Sequence, residues 1–264
     1  MNDLYNTLNT KPFLIAGPCV IESEDLCVKI ASDLQEFCSS LGVTYIFKSS
    51  FDKANRTSVS SFRGLGKKEA FRVLEKVRNF CEYVTTDAHE TKDMAYFQDK
   101  TVDIIQIPAF LCRQTDLVVS AAETGKIVNV KKGQFLTGNA MSHVLEKIKS
   151  TGNEKVMLTE RGSMFGMNDL VVDFRNVWQM SKMGVPVVMD CTHSRQVPNS
   201  SSSTGGQDVE LTGLYARSSA LFGAKGLFLE THTDPSKALS DASTVVPLDV
   251  VKETVESFLK VSGI

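Results

Sequence analysis

Short apolar or β-branched runs alternate along this chain with longer amphipathic stretches. The runs lie at Phe13 to Gly17, Thr44 to Ser49, Tyr83 to Asp87, Val102 to Pro108, Lys126 to Lys131, Lys155 to Arg161, Pro186 to His193 and Gly226 to His232, and each has the length of a buried strand. Apolar positions three and four apart predict helices between them, near Leu26 to Leu41, Lys67 to Phe80, Lys92 to Gln98, Thr115 to Glu123, Met141 to Ser150, Leu170 to Met183, Glu210 to Phe222 and Leu248 to Val261. Strict alternation implies a parallel sheet, and eight repeats of near-equal size close an α/β (β/α)8 TIM barrel. An open doubly wound sheet is the alternative, but a dinucleotide-binding version lacks its GxGxxG turn here. A single catalytic domain over 1–264 accommodates the length. Pro198 to Gly206, PNSSSSTGG, is too rich in Ser and Gly to pack and is expected as a loop, either a lid over a site or a solvated connection.

Charge changes the picture by exclusion. Lys plus Arg number 29 against 31 for Asp plus Glu, a formal charge of -2, so no global basic field favours nucleic acid or a membrane surface. An anion site must then be local. Neither a signal-peptide run nor a stretch of membrane-span length is present, and a cytoplasmic location is expected. Six cysteines without CxxC pairs point to reduced thiols. Cys27 and Cys38 fall on the apolar stripe of the first predicted helix, as packing.

In a parallel barrel, chemistry is sought at the carboxyl ends of the strands. Those ends carry Cys19, Lys48, Asp87 with His89, Gln106, Lys131 with Lys132, Glu160 with Arg161, Asp190 with His193, and Glu230 with His232. Each alone has a plainer reading, as an exposed strand-end charge, a hydrogen-bonding group or packing. Together they predict one polar pocket. Lys48, Lys53, Arg56, Arg63, Lys131 and Arg161 suit phosphate and carboxylate groups. Cys19, His193, Glu230 and Asp241 mix thiolate, imidazole and carboxylate, a set suited to Zn²⁺, Fe²⁺ or Mn²⁺ with an open position.

The motifs IAGPCVIES (Ile15 to Ser23), FKSSFDKANR (Phe47 to Arg56), QIPAFLCRQTDL (Gln106 to Leu117), VNVKKGQF (Val128 to Phe135), LTERG (Leu158 to Gly162), FGMNDLVVDFR (Phe165 to Arg175), DCTHS (Asp190 to Ser194) and GLFLETHTDPSKALSD (Gly226 to Asp241) occur in this order. In them the chain resembles the 3-deoxy-D-manno-octulosonate 8-phosphate synthases. The KANR segment separates these from heptulosonate phosphate synthases, which typically carry a KPRT-like segment, so Asn55 favours a pentose phosphate.

The resemblance implies condensation of phosphoenolpyruvate with arabinose 5-phosphate. Lys131 and Arg161 would hold the phosphate of phosphoenolpyruvate, Lys48 and Lys53 its carboxylate, and Arg56 the sugar phosphate, with Asn55 orienting the sugar. Thr57, Asp87, Gln106 and Gln134 would join the substrate-binding set, and Arg113 would reach across a subunit interface of a homotetramer. Catalytic roles would fall to Lys53, His193 and Asp241, and a divalent metal to Cys19, His193, Glu230 and Asp241. The family contains a metal-dependent form with Cys at position 19 and a metal-independent form with Asn, so Cys19 implies the former. This chain departs from the family at Leu65, Thr57, Thr233 and Leu136 to Ala140, without loss of a proposed ligand or charge. The rivals from other classes are a barrel that only binds phosphorylated metabolites and an aldolase using a Lys Schiff base.

Overall fold

The computed structural model describes residues 2–164, 169–197, 205–206 and 208–263. Eight parallel strands close a barrel: β1 (Phe13–Gly17), β2 (Thr44–Lys48), β3 (Tyr83–Asp87), β4 (Ile104–Ile107), β5 (Ile127–Lys131), β6 (Val156–Glu160), β7 (Val187–Asp190) and β8 (Gly226–Glu230). β8 pairs with β1, in a register that sets Gly17 beside Glu230. The expected strands are all present: β1 and β3 keep the expected bounds and the other six are shorter.

Both faces of every strand are covered, so alternation appears as chemistry rather than exposure. Outward side chains such as Tyr45, Phe47, Ile105, Val128, Leu158 and Leu227 pack under the helices. The helix α2 (Glu24–Ser40) shows why these segments fold as they do. Ser23 caps it by accepting the Leu26 N–H at 3.2 Å, and Cys27, Ile30, Ala31, Leu34 and Cys38 form its buried stripe.

Inward side chains divide by height. Phe13, Ile15, Ile46, Ile104, Ile127, Met157, Val188 and Phe228 form an apolar floor. Two residues further along their strands stand Lys48, Gln106, Asn129, Thr159, Asp190 and Glu230, since a period of two returns each position to the same face. Gly226 makes the floor possible: a Cβ there would lie 2.2 Å from the Phe13 ring. Gly17 does the same higher up, where a Cβ would meet the Lys48 carbonyl oxygen at 2.0 Å.

Three elements differ from expectation. An amino-terminal helix, α1 (Asn2–Thr10), was not predicted; it buries Leu4 and Leu8 against the floor, and the Tyr5 hydroxyl donates to the Val156 carbonyl at 3.0 Å. The expected third helix is a 3-10 helix, Thr91–Phe97. Asp93 tightens that turn by accepting the N–H groups of His89 and Glu90 at 2.9 Å each while pairing with Lys67. The sixth helix, Phe174–Ser181, starts later than Leu170 because Val171 pairs with Ser163 and Asp173 supplies the cap.

The expected loop Pro198 to Gly206 lies outside the described residues except for Gly205–Gly206, which pairs antiparallel with Gln196–Val197. Among the described residues no helix is long and apolar enough to cross a membrane.

Candidate active site

Because the strands are parallel, their last inward residues and the loops after them meet at one mouth. Lys48, on β2, is 1% exposed. Its ammonium donates to Ser50 Oγ at 2.8 Å and to Glu230 Oε1 at 3.3 Å, and it lies 3.7 Å from Asp87 Oδ2. Lys53 reaches the same Glu230 oxygen at 3.7 Å from the loop after β2. Lys131, on β5, donates to Asp190 Oδ2 at 2.7 Å and sits 3.7 Å from the centre of the Phe228 ring, a cation–π contact. Charges on five strands, β2, β3, β5, β7 and β8, therefore neutralise one another across the barrel while leaving capacity for anions.

That capacity is visible at two arginines. Arg161 is 5% exposed and spends one nitrogen on Gln196 Oε1 at 2.8 Å, while the other terminal nitrogen is buried without a partner. Arg56 donates to Ser240 Oγ at 2.6 Å, and its Nε is likewise buried and unpartnered. Buried donors of this kind are costly unless a ligand completes them, so both sites are suited to oxyanions.

The titration of the site follows from burial set against neighbours. Burial pulls Lys53 down, but its acidic neighbours, with Glu230, Asp87 and Asp241 among them, outweigh it and hold the lysine well above its usual range. Burial pushes Glu230 up, yet Lys53, His193, Lys48 and Lys131 reverse this and keep it well below the ordinary carboxylate range. Asp190 behaves alike, with His193 and Lys131 overcoming burial. Lys131 itself is lowered, because burial exceeds the attraction of Asp190.

Cys19, Glu230 and Asp241 bring ligand atoms within 4.8 Å of one another. The Cys19 thiol donates to Asp241 Oδ2 at 3.3 Å, and Glu230 Oε2 is buried with no hydrogen-bond partner. His193 stands beside them, with Nε2 at 3.6 Å from that orphaned oxygen and Nδ1 at 2.9 Å from Asp190 Oδ2. His193 Nε2 and the orphaned Glu230 oxygen thus face each other beside Cys19 and Asp241, where one cation could engage both. Asp241 holds a left-handed backbone, φ 51°, a strained conformation for a residue with a side chain. Burial and then Glu230 push the Cys19 thiol well up; a metal would be needed to hold it as thiolate. The donor set fits a borderline divalent cation.

Gln106 and Asp87 form the inner wall. Gln106 Nε2 and Ser50 Oγ both donate to Asp87, and behind them Thr159 Oγ1 donates to Asn129 Oδ1 at 2.7 Å. Gln134 is buried on the loop after β5. Asn55 and Thr57 are exposed on the loop after β2. Arg113 is exposed too, and only its carbonyl is engaged, by Lys147 Nζ at 3.1 Å. These last three are not drawn into the pocket of a single chain. Conversely, Asp190 is central to the geometry, although the sequence reading gave it no role beyond a strand-end group; its place two residues beyond the inward Val188 was the available signal. Ser50, Gln196 and Ser240 carried no sequence signal.

The family model for the DAHP synthetase I family matches residues 3–261. A 2-dehydro-3-deoxyphosphooctonate aldolase of Cyanothece sp. is 47% identical over 253 residues, 95% of this chain and 92% of that protein. One from Acidithiobacillus ferrooxidans is 49% identical over 237 residues, 89% and 84% of the two chains. Another, from Legionella pneumophila, is 49% identical over 247 residues, 93% and 89%.

Proposed function

This chain belongs to the DAHP synthetase I family, and from that membership and the geometry of the barrel mouth we propose that it condenses phosphoenolpyruvate with D-arabinose 5-phosphate and water, giving 3-deoxy-D-manno-octulosonate 8-phosphate and inorganic phosphate in lipopolysaccharide sugar biosynthesis. The observation that carries this reading is that buried Arg161 and half-buried Arg56 each keep a buried nitrogen without a partner at a mouth that also gathers Cys19, Glu230 and Asp241. Two phosphorylated substrates need two such sites and a reacting centre between them.

Lys131 and Arg161 hold the phosphate of phosphoenolpyruvate, Lys48 and Lys53 its carboxylate, and Arg56 the sugar phosphate with Asn55 and Thr57 closing from their loop. Gln106 and Gln134 supply neutral polar walls. Holding two polyanions together against their repulsion is the main catalytic demand. The enol C3 then attacks the aldehyde carbon and its electrons pass to the aldehyde oxygen, which takes a proton. Lys53, kept protonated by its carboxylate neighbours, is the proton donor. Water adds at C2, and the resulting tetrahedral intermediate expels inorganic phosphate as the C–O bond breaks. Cys19, His193, Glu230 and Asp241 would hold a Zn²⁺, Fe²⁺ or Mn²⁺ ion, which would supply Lewis-acid charge at the centre of the site. Asp190 sets the His193 ring through Nδ1, and Asp87 anchors Gln106 and Ser50.

The exposed Arg113, with Phe110 and Phe135 at 56% and 60% exposure, supports assembly into a homotetramer in which Arg113 reaches a neighbour's sugar phosphate. All six cysteines are unpaired and buried, which supports a reducing, cytoplasmic setting. Phosphate release from phosphoenolpyruvate, compared across arabinose 5-phosphate, erythrose 4-phosphate and N-acetylmannosamine, tests the substrate assignment. Turnover is expected with the first and little with the others; equal rates with erythrose 4-phosphate overturn it. A borohydride-trapped lysine adduct would instead support a Schiff-base aldolase.

A further inference from the structure

Lys131 and Arg161 face the barrel interior, so the residues beside them, Lys132 and Glu160, face the opposite way. Lys132 is fully buried and has no part in the chemistry above. Its ammonium shares three N–H groups among four oxygens, Gly133 O at 3.2 Å, Leu136 O at 3.1 Å, Gly162 O at 3.4 Å and Ser163 Oγ at 3.1 Å. Glu160 Oε1 lies 3.6 Å away and also accepts the Gly162 N–H at 2.7 Å, while Glu160 Oε2 has no partner. The four oxygens come from two loops, 133–136 after β5 and 162–163 after β6, which a further bond from Met164 N to Gln134 O, 3.0 Å, also joins.

A buried ion pair is a poor way to stabilise a fold, and apolar side chains of similar volume often do as well or better. What an apolar side chain cannot do is bind carbonyls from two loops at once. We propose that Lys132 is a positioning residue, whose ammonium locks the β5 and β6 loops together so that Lys131 and Arg161 converge on one phosphate. The proposal rests on the reading that these two residues bind the phosphate of phosphoenolpyruvate.

The test compares wild type, Lys132→Met, Lys132→Met with Glu160→Leu, and Arg161→Met by calorimetric titration with phosphoenolpyruvate and by urea unfolding. Lys132→Met leaves Glu160 stranded and should lose both stability and affinity. The double variant should regain stability, because no buried carboxylate is left unpaired. Its Kd for phosphoenolpyruvate should nevertheless stay raised by about 10- to 100-fold, the scale of a lost hydrogen bond to a charged group, and its KM should rise more than its kcat falls. Recovery of affinity together with stability overturns the proposal and leaves the pair a packing feature. If neither Lys132 variant folds, Ser163→Ala carries the test: a Kd raised about fivefold, the worth of one hydrogen bond, is expected, and an unchanged Kd overturns the proposal. Wild-type affinity in Arg161→Met would show instead that the phosphate reading itself is wrong.

Discussion

The two ends of the barrel interior are built from the same strands by opposite means. At the floor, Phe13, Ile104, Met157 and Phe228 exclude water and α1 closes the opening with Leu4 and Leu8. Higher on the same strands, Lys48, Asp87, Lys131, Asp190 and Glu230 are nearly as buried but carry charges held by one another. The floor contributes stability and does no chemistry. The mouth concentrates charge at a desolvation cost that is offset by pairing and by donors left open for ligand. Stability and reactivity are thus separated along one axis by a step of two to four residues.

Substitutions at the two ends should divide along that line. The largest effect is expected at Arg161→Met. Losing one ion pair at about 4 Å removes about 4 kcal/mol at an effective dielectric near 20, or about a thousandfold in kcat/KM, with little shift in the urea midpoint. A large midpoint shift would mean the mouth also carries the fold. Next comes Leu8→Ala, which should cost about 3 kcal/mol of unfolding free energy while kcat/KM is unchanged. Loss of activity in folded Leu8→Ala would show that the floor is coupled to the site.

Smaller is the effect of Cys19→Asn, for which metal affinity should fall at least about tenfold, since a thiolate is the stronger ligand for Zn²⁺ or Fe²⁺. Elemental analysis after dialysis against graded chelator measures it; undiminished metal content rules out Cys19 as a ligand. Exhaustive chelation of wild type should abolish turnover, and Mn²⁺, Zn²⁺ or Fe²⁺ should restore it.

The smallest expected effect is a pH slope. Burial raises the Asp87 carboxyl, but Lys48, Lys53 and His89 overcome this and hold it well below the usual range. A carboxyl depressed in the folded state stabilises above its unfolded value, near pH 4, and that contribution is lost as pH falls toward the folded value. Asp87→Asn should therefore flatten the fall of stability between about pH 5 and pH 3, by at most about 1.4 kcal/mol per pH unit. An unaltered slope in urea titrations would show that Asp87 carries no such linkage.

Much of the fold was written locally. Eight β runs with helical spacing between them specify a barrel, because strand and helix periods are properties of adjacent residues. The same periodicity places Lys48, Lys131, Arg161 and Glu230 at strand ends, which is why the candidate site was legible as a set of residue types. α1 was legible in principle, since Leu4, Tyr5 and Leu8 share a helix face, but a short polar terminus gives that signal little weight until the open floor is seen. The 3-10 turn at Thr91–Phe97 depended on Lys67 pairing with Asp93 from another repeat.

Partnerships were beyond the reach of periodicity. Lys48 and Glu230 are 182 positions apart and become neighbours only because β8 closes against β1 and β2 flanks β1. The use of Asp190 to hold both Lys131 and His193, and of Lys132 to bind two loops, likewise follows from closure. The sequence alone determined which side chains point inward and at what height, because those are set by a two-residue repeat. Only the tertiary structure decided which charge meets which, because burying them forces each to find a partner across the barrel.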